Sequence, residues 1–170
     1  MEKRSKEKLI PLEIYTDGSL KKMGQQSTFG GWAFYALREG NDFYHKSGSV
    51  PMTTNQRMEL LAILEGLKYA QGIRQKGEKV IIYSDSAYAI NCYIQEWYNN
   101  WRTNGWYNSK KQPVANQDLW QEIIPFFDNF WYDFRKVEGH TGNYWNEKCD
   151  ALAQLEAETL KIHWRGNKNG

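Results

Sequence analysis

The chain has 170 residues and 20.0 kDa, the size of one ordinary domain, and its 41% hydrophobic and 15% aromatic content with only four prolines excludes a disordered segment. Lys and Arg total 22 against 20 Asp and Glu, a formal net charge of +2, so bulk charge alone points to no nucleic-acid partner. The opening MEKRSKEKLI lacks the apolar stretch of a secretory signal, no run of about eighteen apolar residues follows, and Cys92 and Cys149 stand without Cys-x-x-Cys spacing. A soluble, cytoplasmic, monomeric protein with no membrane contact, no zinc site and two core cysteines is expected.

Residues 1–11 read as a flexible polar tail whose Lys3, Arg4, Lys6 and Lys8 are a solvated surface. LEIYTDGS at 12–19 alternates apolar and polar positions before an Asp-Gly punctuation, which predicts a strand ending at Asp17. LKKMGQQSTF at 20–29 reads as a polar, irregular loop. GGWAFYALRE at 30–39 and DFYHKSGSV at 42–50 are strand-like runs parted by Gly40 and Asn41, so an antiparallel meander is predicted. From Asn55 to about Arg74 the period becomes helical, with Met58, Leu61, Leu64 and Leu67 on one stripe and Thr54 as N-cap. KVIIYSD at 79–85 has the branched apolar run of a buried central strand and also ends on an aspartate. Helices at 86–95 and 117–127, a strand at 134–138 and a helix from about Asn143 to Ile162 complete the pattern. The order β, β, β, α, β, α, α, β, α predicts an α/β fold, a five-stranded mixed sheet with helices on both faces, in one domain at 12–165 with a flexible end at 166–170.

Ligands of such sheets sit beyond the carboxyl ends of the parallel strands, where Asp17 and Asp85 fall. Each acid alone has an ordinary reading: a turn for Asp17, a cap for Asp85, solvated helix faces for Glu59 and Asp150. Together the two strand-end aspartates repel unless a cation lies between them, and Glu59 and Asp150 stand among apolar residues where an unpartnered acid is uncomfortable. Four hard oxygen donors in one crevice suit one or two magnesium or manganese ions.

Four blocks, YTDGS (15–19), TNQRMEL (54–60), YSDS (83–86) and GHTGNYWNEKCDALA (139–153), resemble in order and type the signature blocks of the type 1 ribonuclease H family. The resemblance spans about residues 12–160. It implies a ribonuclease H-like fold and a metal-dependent endonuclease that cuts the RNA strand of RNA/DNA hybrids, leaving 5'-phosphate and 3'-hydroxyl ends. It also implies two magnesium ions, with manganese as a substitute, held by Asp17, Glu59, Asp85 and Asp150, and a proton-carrying role for His140 on its Gly-flanked loop. Glu147 matches a family acid near the second metal and reads equally as a surface helix charge.

WYNNWRTNGWYNSKKQPVANQDLW at 97–120 interleaves Trp97, Trp101 and Trp106 with Arg102, Lys110 and Lys111, and resembles the basic protrusion with which the family grips the DNA strand. Trp97, Trp101, Lys110 and Lys111 are therefore candidate substrate contacts, while Trp101 and Trp106 read as readily as the protrusion's small core. Thr54, Asn55 and Gln56 match a hybrid-reading triplet, usually Thr-Asn-Asn, from which Gln56 departs with the same amide on a longer arm. The 20–29 loop departs further, and no RNA contact is carried over to it. Residues 1–11 leave no room for a separate hybrid-binding domain, so low processivity is expected. Met1 and the hydrophilic GNKNG end suggest a free-standing chain over a reverse-transcriptase fragment. Two other readings are a non-catalytic hybrid-binding module and a DNA nuclease or integrase-like enzyme on the same fold. The complete set of carboxylates opposes the first, and the GHTG-to-CDALA block opposes the second.

Overall fold

The computed structural model describes residues 10–137 and 143–168, with side chains to Arg165. Strands β1 (Leu12–Met23), β2 (Ser27–Arg38) and β3 (Asn41–Pro51) form the expected meander. They are followed by α1 (Asn55–Ile73), β4 (Val80–Ser84), α2 (Ala87–Gln95), α3 (Trp97–Asn104), α4 (Gln117–Phe127), β5 (Tyr132–Lys136) and α5 (Tyr144–Lys168). The five strands lie in the order β3-β2-β1-β4-β5. β4 pairs in parallel with β1 from Leu12↔Val80 to Tyr15↔Tyr83, and with β5 from Val80↔Tyr132 to Ser84↔Lys136.

Alternation along the strands sends two sets of side chains to two helices. Ile14, Thr16 and Phe34 lie under Gly66 of α1, and with Leu12, Met58, Leu60, Leu67 and Ile82 they form a fully or almost fully buried core. On the other face Phe29 packs edge-on to Trp164 of α5 at 5.7 Å, and the Cys149 thiol donates to the Tyr15 carbonyl at 3.2 Å. Both cysteines are buried and unpaired with each other. Among the described residues no helix is long and apolar enough to cross a membrane.

Two expectations fail. The strand expected to end at Asp17 runs on to Met23, so residues 20–29 are not an irregular loop: β1 and β2 continue as a paired ribbon, Lys21↔Phe29, Lys22↔Thr28 and Met23↔Ser27, and turn through residues 24–26, with Gly24 at φ 68°. Tertiary ties override the polar composition. The Thr28 hydroxyl donates to the Thr53 carbonyl (2.8 Å) and accepts from its N–H (3.0 Å), and Phe29 is fully buried. The second is α3 at Trp97–Asn104, a helix absent from the expected order of elements. Its sequence, WYNNWRTN, is poor in helix formers. It is held by burial of Tyr98 and Trp101 and begun by a left-handed Glu96 (φ 56°) that breaks it from α2.

The end of the fold remote from the parallel strands' carboxyl ends is pinned by one ion pair. Arg38 at the end of β2 makes a two-pronged bond to Glu78, Nε to Oε2 and Nη2 to Oε1, both 2.9 Å, and also reaches the Ile73 carbonyl at 3.1 Å. The Gln75 N–H donates to the same carboxylate at 3.1 Å, and Arg74 donates to the Glu78 carbonyl at 2.6 Å. Burial alone would push the Glu78 carboxyl up, but these donors outweigh it and hold it below the usual carboxylate range.

A carboxyl with a lowered folded pKa stabilises above its unfolded pKa and loses that contribution as pH falls through the folded value. Glu78→Gln should therefore cost roughly 1.5–3 kcal/mol at pH 7, a gap that closes toward pH 3. Urea denaturation of both proteins at the two pH values measures it, and an unchanged gap would contradict the charge-based account.

Candidate active site

β1 leaves its parallel partner after Tyr15 but runs on against β2, so Asp17 lies inside a strand, just beyond the point where β4 ends. Asp85 is the first residue past β4, followed by Ser86, whose hydroxyl caps α2 by accepting the Ala89 N–H at 3.2 Å. Glu59 lies early in α1, which starts where the Thr54 hydroxyl accepts the Arg57 N–H at 3.1 Å. Three elements distant in sequence thus meet at one point.

Gly18 sets how closely they meet. A methyl group there would lie 2.5 Å from the Glu59 nitrogen and 2.6 Å from the Met58 carbonyl carbon, both backbone atoms that cannot swing away. Only glycine lets β1 approach α1 so closely. The Gly18 N–H also donates to Asp17 Oδ1 at 2.9 Å, fixing the carboxylate.

Asp17, Glu59 and Asp85 each place a carboxylate oxygen within 4.8 Å of the other two. Asp17 is 3% and Glu59 7% exposed, and Glu59 Oε2 has no hydrogen-bond partner among the described residues. Burial first, and then the Asp85 charge, push the Asp17 carboxyl up to about 8; burial and the Asp17 and Asp85 charges push Glu59 well above its ordinary value. An orphaned buried oxygen within a group of crowded acids is what a hard divalent cation would satisfy, so the residues fit a metal. Asp150 of α5 is near enough for its charge to add to the rise at Asp17, and its Oδ2 accepts from Gln154 at 2.8 Å. His140 lies outside the described residues, and Glu147 is exposed in the first turn of α5.

The substrate candidates divide. Thr54 and Asn55 are exposed at the start of α1, beside Gln56, whose Oε1 accepts from Asn116 Nδ2 at 3.3 Å. Lys110 and Lys111 are exposed on a small turn closed by the Tyr107↔Pro113 bridge, where Asn108 Oδ1 accepts the N–H groups of Lys110 (2.9 Å) and Gln112 (3.0 Å). Trp97, half-buried, lines a cleft of about 540 Å³ with Tyr88, Asn100 and Tyr107. Trp101 is 5% exposed, edge-on to Trp120 at 5.5 Å and flanked by Trp106 at 6.2 Å, so most of its ring is packed in the core while its remaining edge lines the same cleft as Trp97. Gln154 and Asn116 carry no motif in the sequence, and Gly18 is marked there only as a turn residue of the Asp-Gly pair; the Asp150/Gln154 helical spacing is the one signal that could have found Gln154.

The family model described as RNase H matches residues 10–158. A ribonuclease H from Syntrophomonas wolfei subsp. wolfei is 45% identical over 147 residues, covering 86% of this chain and 96% of the relative. Among solved structures, the PFV RNase H domain in solution superposes with a TM-score of 0.75 at 22% identity, covering 89% of this chain and 97% of that one. The foamy viral protease-reverse transcriptase in complex with RNA/DNA hybrid gives a TM-score of 0.77 at 22% identity, covering 88% of this chain and 20% of that one. At these identities the two structures speak for the fold.

A carboxyl whose folded pKa is raised from 3.8 to about 8 binds more protons folded than unfolded across that interval, so without metal it makes stability fall as pH rises. In chelator, Asp17→Asn should therefore melt above the wild-type protein at pH 8, with the difference shrinking toward pH 4. A divalent cation should then raise the wild-type melting temperature more than that of the variant. Melting curves at the two pH values, with and without cation, provide the check; a wild type as stable as the variant at pH 8 in chelator would refute the crowding.

Proposed function

The chain belongs to the ribonuclease H family, and from that premise we propose that it is an endonuclease hydrolysing the RNA strand of RNA/DNA hybrids to 5'-phosphate and 3'-hydroxyl ends. The observation that carries the reading is the convergence of Asp17, Glu59 and Asp85 from β1, α1 and the end of β4, with one buried oxygen left unpartnered. Asp150 completes the set we assign to two magnesium ions, for which manganese would substitute. Bound there, the metal supplies positive charge that acidifies water and offsets the charge building on a phosphodiester under in-line attack.

The chain's own groups position and select. The Gly18 N–H and Gln154 amide hold Asp17 and Asp150 in orientation. Thr54, Asn55 and Gln56 at the start of α1 offer hydroxyl and amide groups to a shallow minor groove, where the 2'-hydroxyl marks the RNA strand. Asn116 engages the Gln56 oxygen, which leaves the Gln56 –NH2 as the free donor. Lys110 and Lys111 take backbone phosphates of the DNA strand, setting position without reading sequence. Water adds its oxygen to phosphorus as the P–O3' bond breaks. The 3' oxygen leaves with a proton, a transfer we give to His140. A monomeric, cytoplasmic enzyme belongs to the same proposal.

End-labelled RNA/DNA hybrid, double-stranded RNA and double-stranded DNA, each with and without magnesium, test the reading. Only the hybrid with magnesium should be cut, and Asp17→Asn or Asp85→Asn should nearly abolish cutting in a protein that still folds. Comparable rates on all-DNA duplex would make it a DNA nuclease, and near wild-type turnover by either variant would remove the metal assignment.

His140→Ala should lower kcat by roughly ten- to a thousandfold, in the range general acid or base groups contribute, and remove a dependence of rate on pH near neutrality. Unchanged kcat would return His140 to a structural role.

A further inference from the structure

We infer that the β1–β2 ribbon is a second nucleic-acid-binding arm, in which Lys21, Lys22 and Arg165 take backbone phosphates on the flank of the acid cluster away from the α3 protrusion. The inference rests on the hybrid being the substrate. Its first support is placement. β1 runs six residues past Asp17 to Met23, about 20 Å at the rise of a strand. The ribbon belongs to the β1–β2 side of the sheet, whereas the protrusion follows α2, which packs on β4 and β5. The acid cluster, on β1 and at the end of β4, lies between two basic features.

The second support is rigidity. A projecting polar hairpin with no packing would be too mobile to hold a phosphate in register. This one is fastened at three points. Thr28 makes paired bonds with Thr53, the residue before the Thr54–Gln56 triplet, and the Thr28 carbonyl accepts from the Met52 N–H at 2.8 Å. Phe29 is buried against Trp164, and near the tip Arg165 Nε donates to Met23 Sδ at 3.1 Å. The arm is thus joined both to the strand carrying Asp17 and to the short connection, Met52–Thr53, that leads into Thr54 and the start of α1.

Charge is the third support. No acid occurs from Gly18 to Leu37, and among the described residues Lys21, Lys22 and Arg165 are in no ion pair. By contrast, the protrusion's Arg102 is engaged by Asp128 at 2.7 Å. Strand alternation puts Lys21 on the side of Asp17 and Met23, where Arg165 also lies, and Lys22 on the other. Two cations therefore face one side of the ribbon and one the other, as a backbone curving around it would require.

The test is hybrid binding, measured by fluorescence anisotropy without divalent metal from 50 to 200 mM NaCl, for the wild type, Lys21→Gln/Lys22→Gln, Arg165→Gln and Lys68→Gln. Each lost phosphate contact reduces the slope of log K against log[salt] by about 0.7–0.9. The double variant should therefore lose about 1.5 from the slope, and Arg165→Gln about half that. Lys68, paired with Glu122 on the α1–α4 surface, should leave the slope as in the wild type. In cleavage assays the double variant should raise KM about three- to tenfold. A slope unchanged in the double variant, or one lowered equally by Lys68→Gln, overturns the arm. Wild-type protein that binds hybrid but cuts none with magnesium overturns the catalytic reading, while the slopes still decide the arm.

Discussion

Between β1 and the first turns of α1 there is no room for a side chain at Gly18, because the space a methyl group would fill is already occupied by the α1 backbone at Met58 and Glu59. The carboxylates on either side of that contact, Asp17 and Glu59, inherit its closeness. Once they are held there, Asp85 needs only to follow the neighbouring strand to its end to join them, since the β1–β4 register sets Tyr15 against Tyr83. One strand-to-helix approach thus determines the cluster, and with it the burial that raises the proton affinity of both acids.

Such a cluster opposes folding in the absence of a cation, and its cost is met elsewhere in the molecule. β4 shows the division most clearly. Glu78, just before it, is surrounded by donors from Arg38 and Gln75, while Asp85, just after it, faces two other acids. A strand of five residues separates a satisfied charge from an unsatisfied group of charges. The core between α1 and the sheet, from Leu12 and Ile14 to Leu67 and Ile82, makes that asymmetry sustainable.

The five strands, the long helices and the acids were legible in the sequence because each had a local mark: a two-residue alternation or a branched apolar run, a 3.6-residue stripe, a carboxylate at a strand end or in an apolar setting. The ribbon was not legible, because LKKMGQQSTF has no alternation and its strands depend on Thr53, Trp164 and Arg165, residues far away in the chain. The third helix was hidden for the same reason, its asparagines arguing against a helix that Trp101 supports through Trp120. Trp101 also shows the limit of composition: a tryptophan amid basic residues suits a stacking surface and a small core equally, and only its packing decides. Gln56 kept its place as a candidate reader, but the partner that orients it, Asn116, lies sixty residues on and could not be paired with it from spacing.

The last helix rests directly on the second strand, with the backbone at Ala153 and Ala157 packed against Gly31 so closely that a side chain there could not fit. β1, β2, β3 and α1 are contiguous in the chain and can associate as they are synthesised, whereas Asp150 arrives only with α5. While the chain is still tethered to the ribosome, its first half can assemble two of the four acids and its middle a third. The fourth waits for the C-terminal helix to emerge and dock. Assembly of the site is thereby ordered in time by the direction of translation, and a chain stopped short of α5 would expose Gly31 and its neighbours as a bare apolar strip, marking it for the chaperones and proteases that recognise such surfaces.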